Sequence, residues 1–212
     1  MKKYIIPIAA SLLIAGGYLC LEKHESHSTE TAEFTIEKPY LGVVKELATK
    51  NSLERMVQDS NGTITEKNWD SFEFEAPRRK LRLKEYKLEG PLRFTVEKKD
   101  GDLGELRLPF TQEMHLDSHV LSLHTKLSTP QEKIPAYDKK IEISPLVEEG
   151  ASIPKTHVSI KSELTVRKTI PFFFGKLMDK KVAETNRKDT EQLKSNIMGI
   201  AGQKTSISFR TQ

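Results

Sequence analysis

The sequence has a single cysteine, Cys20, so no intramolecular disulfide can form and the fold must rest on its core in any redox compartment. It has one tryptophan, and aromatic residues make up only 7 % of the chain. There is no glycine-rich phosphate loop. The Ser and His residues, Ser118-His119 among them, have no nucleophile-elbow glycines around them. Nor is one sign of charge in large excess. The 34 basic and 30 acidic residues leave +4, a small lysine surplus with no arginine-rich helix and no basic–aromatic interleaving. Nucleic acid is therefore not an expected partner. Apolar residues are sparse at 36 % but gathered in short runs, which suits one domain of ordinary size.

The one long apolar run comes first. Tyr4–Leu21 is eighteen residues without a charge, about 27 Å as a helix and close to the thickness of a bilayer's hydrocarbon core. Lys2 and Lys3 precede it and keep that end in the cytoplasm, while Tyr4 and Tyr18 sit where aromatic rings favour the interface. A retained signal anchor fits the length. A cleaved signal peptide fits the small residues Ala15, Gly16 and Gly17. Lipidation at Cys20 is a third reading, weakened by the bulky Leu19 before it. All three deliver the rest of the chain to the non-cytoplasmic side, periplasmic or extracellular, either tethered or, after cleavage, secreted. The expected organisation is a signal anchor or signal peptide at 1–21, a polar tether at 22–32 rich in Ser, Thr, Glu and His, a folded domain at 33–200 and a tail at 201–212.

Within the domain the pattern changes period. Phe34–Glu37 alternates as a short strand, and Leu41, Val43, Val44 and Leu47 form a helical stripe after Pro39. Asn61-Gly62 marks a turn before a strand carrying Ile64, Trp69, Phe72 and Phe74. Alternating runs follow at Lys80–Leu88, Leu92–Val96, Leu106–Phe110, Met114–Leu127 and Ile141–Val147. Val158, Ile160, Ser162, Leu164 and Val166 then share one face of a long strand, ending at Ile170–Gly175. A helix is expected from Phe174 to Met198, with Phe174, Met178, Val182, Thr185, Asp189, Leu193 and Ile197 on one face. The order predicts an α+β fold: an antiparallel curved sheet wrapped around a long C-terminal helix. Such a sheet encloses a space that can hold a ligand.

The stretch from His157 to Val166, the Ile170–Leu177 bridge and the helix from Met178 together resemble the ending of uncharacterised bacterial families in the START-like, or SRPBCC, helix-grip superfamily. The likeness covers roughly Phe34 to Met198. It implies an apolar pocket between sheet and helix; it does not imply catalysis, since members of this superfamily range from carriers to polyketide cyclases.

Candidate pocket residues are Trp69, Phe72, Phe94, Phe110, Met178, Val182, Asp189 and Leu193. Asp189 stands out as a carboxylate on the apolar stripe, placed either to meet a ligand's polar head or to pair with a nearby Lys or Arg. His115, His119 and His124 do not share one strand face and are read as surface residues, so no metal is expected. No other cofactor and no catalytic residue is nominated. Glu163 falls on a polar face, and no acid–base pair is apparent that includes it, Glu113 or Asp117. Phe172-Phe173-Phe174 is read as core packing at the strand–helix corner, with membrane insertion or cavity gating as the alternatives. Two functions are in view. One is a membrane-tethered, exported binding module for an apolar or amphipathic molecule such as a lipid. The other is an envelope structural or interaction protein whose cavity is filled by its own side chains, Trp69, Phe72, Phe94 and Phe110 included.

Overall fold

The computed structural model describes residues 21–47, 52, 55–56, 62–68, 86–87, 91–100, 103–116, 119–146 and 154–202. The elements in order are β1 (Leu21–Ile36), α1 (Tyr40–Leu47), β2 (Gly62–Thr65), β3 (Tyr86–Lys87), β4 (Leu92–Asp100), β5 (Gly104–Leu116), β6 (Leu121–Leu127), β7 (Ala136–Leu146), β8 (Lys155–Pro171) and α2 (Gly175–Ile200). A 3-10 turn at Phe172–Phe174 joins β8 to α2. The strands form one antiparallel sheet in the order β1-β8-β7-β6-β5-β4-β2, with β3 paired to β5. The helix α2 lies over β1 and β8. This is the expected helix-grip layout.

Alternation decides which face each strand buries. Along β5 the even positions Leu108, Phe110, Met114 and Leu116 are buried while Arg107, Glu113 and His115 are exposed. β6 and β7 continue the same inner surface with Leu121, Leu123, Ile141 and Ile143, and β8 with Val158 and Ile160. At this end α1 closes the sheet through Tyr40, Val43, Val44 and Leu47, while Leu41 points to solvent. Each fully buried Leu or Ile contributes about 1.5–3 kcal/mol, so this end is the well-packed half of the domain.

Two expectations about the elements are corrected. Residues 22–32, read as a flexible tether, are part of β1, which pairs with β8 without a break from Leu21↔Pro171 to Ile36↔Thr156. The reason is that β1 needs no large apolar side chains. Its inner residues Ser26 and Ser28 are small and buried, and they hydrogen-bond to Asp179 and Asn186 of α2. The Met114–Leu127 run is divided between β5 and β6, which pair Leu116 with Leu121.

The membrane segment falls outside the described residues except for Leu21. Among the described residues no helix is long and apolar enough to cross a membrane. The tail from 203 onward also lies outside them, as does most of the Lys80–Leu88 run.

Candidate ligand cavity

The inner surface of the sheet is crossed by one polar row. Gln112 on β5 pairs with Thr125 on β6, Thr125 with Lys139 on β7, and Lys139 with Ser162 on β8. On one side of this row lies the apolar core under α1. On the other side the sheet and α2 diverge, leaving a cavity of about 360 Å³. Its walls are Phe94, Val96, Leu106, Leu108 and Phe110 from β4 and β5, Leu164, Val166 and Ile170 from β8, and Phe174, Leu177, Met178 and Val182 from the corner and α2. Gln112, Thr125, Lys139, Tyr137 and Asp189 supply the polar lining along the row, and Lys98, Lys168, Lys181, Thr185, Gln192 and Asn196 add polar groups elsewhere in its wall.

The polar lining is a connected cluster. Tyr137 donates its hydroxyl to Asp189 Oδ2 at 3.3 Å, and the Lys139 ammonium donates to the same oxygen at 3.2 Å. Lys139 Nζ also lies 5.2 Å from the centroid of the Tyr137 ring. Burial pushes the Tyr137 phenol up to about 12, Asp189 adding to the rise and the Lys139 ammonium opposing it. Burial by itself would lower the Lys139 pKa, but its contacts with Tyr137 and Asp189 outweigh that and hold it above the ordinary lysine value. At neutral pH the site therefore holds a neutral phenol and an ammonium.

Gln112 adds a different feature. Its side chain is only 1 % exposed, and among the described residues its Oε1 has no hydrogen-bond partner. An orphaned buried acceptor costs about 1–3 kcal/mol unless something supplies a donor. Beyond the cluster, Ser162 donates to Asn186 Oδ1 at 2.8 Å, and Asn186 Nδ2 donates to the carbonyls of Ser162 and Ser28 at 3.1 and 3.2 Å. This buried amide ties α2 to both strands beneath it.

Of the eight nominated pocket residues, Phe94, Phe110, Met178, Val182, Asp189 and Leu193 line the cavity, while Trp69 and Phe72 lie outside the described residues. Asp189 combines its two alternatives, since it faces the cavity and pairs with Lys139. Gln112, Tyr137, Lys139 and Asn186 were not nominated. The first three had a legible signal: Gln112 sits between Phe110 and Met114 on an alternating face, and Tyr137 and Lys139 extend the Ile141 and Ile143 alternation toward the N-terminus. Phe94 and Phe110 stack with centroids 5.5 Å apart, and Phe110 meets Tyr137 edge-on at 5.2 Å; the space persists beside them.

The remaining candidates lie elsewhere. His115 and His119 are exposed, and His124 is bonded to Asp138 on the outer face at 2.8 Å. Among the described residues no group of three His, Cys, Asp or Glu side chains converges to hold a metal ion. Glu113 is exposed, Glu163 is exposed and paired with Lys161, and Asp117 is outside the described residues. The reading of Phe172–Phe174 as core is corrected. The three rings are 60 %, 64 % and 43 % exposed, because the 3-10 turn carries them past the end of the sheet.

No family model matches the sequence, and no curated protein is significantly similar to it. Among solved structures, a Staphylococcus aureus protein of unknown function, SA2116, is similar at a TM-score of 0.50 and 10 % identity, over 84 % of this chain and 95 % of that one. A norcoclaurine synthase point mutant from Thalictrum is similar at 0.49 and 9 %, over 84 % and 95 %. Ara h 8.0201 is similar at 0.46 and 10 %, over 83 % and 98 %. At such an identity the likeness to SA2116 speaks to fold alone.

Proposed function

We propose that this domain binds an apolar or amphipathic small molecule, of which a lipid is one class, with its polar head on the Gln112–Thr125–Lys139–Asp189 lining and its apolar body between β4, β5, β8 and α2. The observation that carries the reading is the cavity of about 360 Å³ itself, whose largely apolar walls carry the Tyr137–Lys139–Asp189 cluster, with the buried Gln112 on the polar row beside it. Lys139 keeps N–H donors beyond the one used on Asp189, which can meet a ligand's polar head. The raised Lys139 pKa makes it a hydrogen-bond donor rather than a nucleophile, which favours binding over covalent chemistry.

The same proposal includes the N-terminal run. Tyr4–Leu21 tethers the domain to a membrane with Lys2 and Lys3 in the cytoplasm, leaving the cavity on the non-cytoplasmic face. Cleavage near Ala15–Gly17 would release the same domain. The self-filled envelope protein is the second reading, and a cavity of about 360 Å³ beside the stacked Phe94 and Phe110 weighs against it.

Organic extraction of the purified full chain, followed by mass spectrometry, is the test. The expected result is a compound with an apolar body and a hydrogen-bonding head, at about one per chain. Extracts matching the detergent blank across repeated preparations would overturn the binding reading.

A further inference from the structure

Among the described residues the exposed large apolar side chains are Leu21, Leu41, Phe172, Phe173, Phe174 and Leu177, and all but Leu41 lie at one corner of the domain. The rings of Phe172 and Phe173 are 5.4 Å apart and those of Phe173 and Phe174 4.7 Å, so they present one contiguous surface. A surface of this kind on a charged domain marks a contact site. Three observations say what it contacts. Leu21 opens β1 and is paired with Pro171, the residue before Phe172, so the uncharged Tyr4–Leu21 run joins the domain at this corner. From Arg167 to Lys181 the chain carries five cationic side chains against one carboxylate, Asp179. The paired end of β1 adds Lys23 with Glu22 and Glu25, the latter bound to Arg167, and the corner keeps a cationic surplus suited to anionic headgroups. Phe174 and Leu177 also line the cavity, so the patch is the cavity's rim.

We infer that the Phe172–Phe174 turn and Leu177 form a bilayer-docking surface that seats the cavity rim on the membrane entered by Tyr4–Leu21. Aromatic rings favour the interface between headgroups and acyl chains, and the flanking lysines reach the phosphates around them. The end of the cavity walled by Phe174 and Leu177 then opens toward the acyl chains, and the Tyr137–Lys139–Asp189 cluster lies away from them. A molecule held as proposed above could pass between bilayer and cavity without its apolar body crossing water. The inference rests on the membrane-tether reading. It differs from a tether alone, which would leave the domain free to tumble.

The test uses the full chain reconstituted in vesicles of phosphatidylcholine and phosphatidylglycerol, with tryptophan fluorescence as the readout. Phe173→Trp places the probe at the corner; Leu41→Trp, on α1 beyond the opposite end of β1, is the control; the wild type gives the Trp69 background. Both substituted sites are exposed, so neither change should disturb folding. The expected result is a blue-shifted Phe173→Trp emission, lost on adding acyl-chain spin-labelled lipid and insensitive to aqueous iodide, with Leu41→Trp showing the reverse. Iodide quenching of both probes, with the protein still floating with the vesicles, would overturn docking and leave the tether standing. A Phe173→Trp probe shielded from both quenchers would mean that the corner is covered by protein, from this chain or a second copy, and would equally overturn it. Protein that fails to float with the vesicles would overturn the tether and the docking together, while leaving ligand extraction unaffected.

Discussion

Asn186 joins α2 to both strands beneath it. It is 1 % exposed and spends its amide on Ser162 Oγ and on the carbonyls of Ser28 and Ser162. Asn186→Leu replaces it with a side chain of similar size but leaves those two carbonyls and the Ser162 hydroxyl without their partner. The expected loss is about 2–4 kcal/mol, read as a lower midpoint in denaturant, on the scale of one to two unsatisfied buried groups. A neutral result would mean that α2 does not sit on β1 and β8 as described. Tyr137 gives a second test at this scale. Its pKa is raised from 10.0 to about 12, so the fold favours the protonated phenol. The stability it contributes is complete below the unfolded value near pH 10 and is lost as pH rises through about 12. The difference in tyrosinate absorbance between wild type and Tyr137→Phe should show one phenol titrating near 12. A value near 10 would mean that Tyr137 is not buried against Asp189.

Among the elements, α2 shows best what the sequence pattern could and could not convey. Its expected start at Phe174 and end at Met198 lie close to the observed Gly175 and Ile200, because no helix breaker interrupts a regular apolar spacing. Its buried residues, however, are Gly175, Val182, Asn186, Thr190, Leu193 and Ile197. Met178 and Asp189 turn toward the cavity instead. An apolar stripe could not reveal the polar positions because their partners, Ser28 and Ser162, are polar too. For the same reason β1 looked like a tether: its burial is made by serines. Gly175 lets the His24 ring pack on the helix start, since a Cβ there would fall 2.9 Å from Cε1 of that ring, itself bonded to Asp179, and the ring would have to shift. Leu193 is buried at 3 % on the core side, and Lys188 is exposed. Leu193→Ala should cost about 2–5 kcal/mol while Lys188→Ala stays within about 0.5 kcal/mol in thermal or denaturant unfolding. Equal effects from the two would contradict the helix-grip packing.

At the scale of the whole molecule the domain is graded from one end to the other. Under α1 it is dense and apolar; across the middle runs the Gln112–Thr125–Lys139–Ser162 row; beyond that the sheet and helix part around a cavity rimmed by exposed aromatics. The curved sheet, the long helix and six of the pocket residues were legible from periodicity. That Gln112, Thr125, Lys139 and Ser162 line up as one row was not, because it depends on the register between four strands, which alternation within each strand leaves open. The central claim is that this space is kept for a ligand, and the most direct measurement is native mass spectrometry of the full chain with and without Leu164→Trp. Leu164 is half-buried, faces the cavity and is paired with Tyr137, so an indole there occupies the space without entering the dense core. The account predicts that wild type carries a bound compound, that Leu164→Trp carries little or none, and that the empty variant unfolds no more readily than wild type freed of its compound. A variant that keeps full occupancy, or one destabilised by the roughly 1–3 kcal/mol typical of overpacking a filled core, would contradict it.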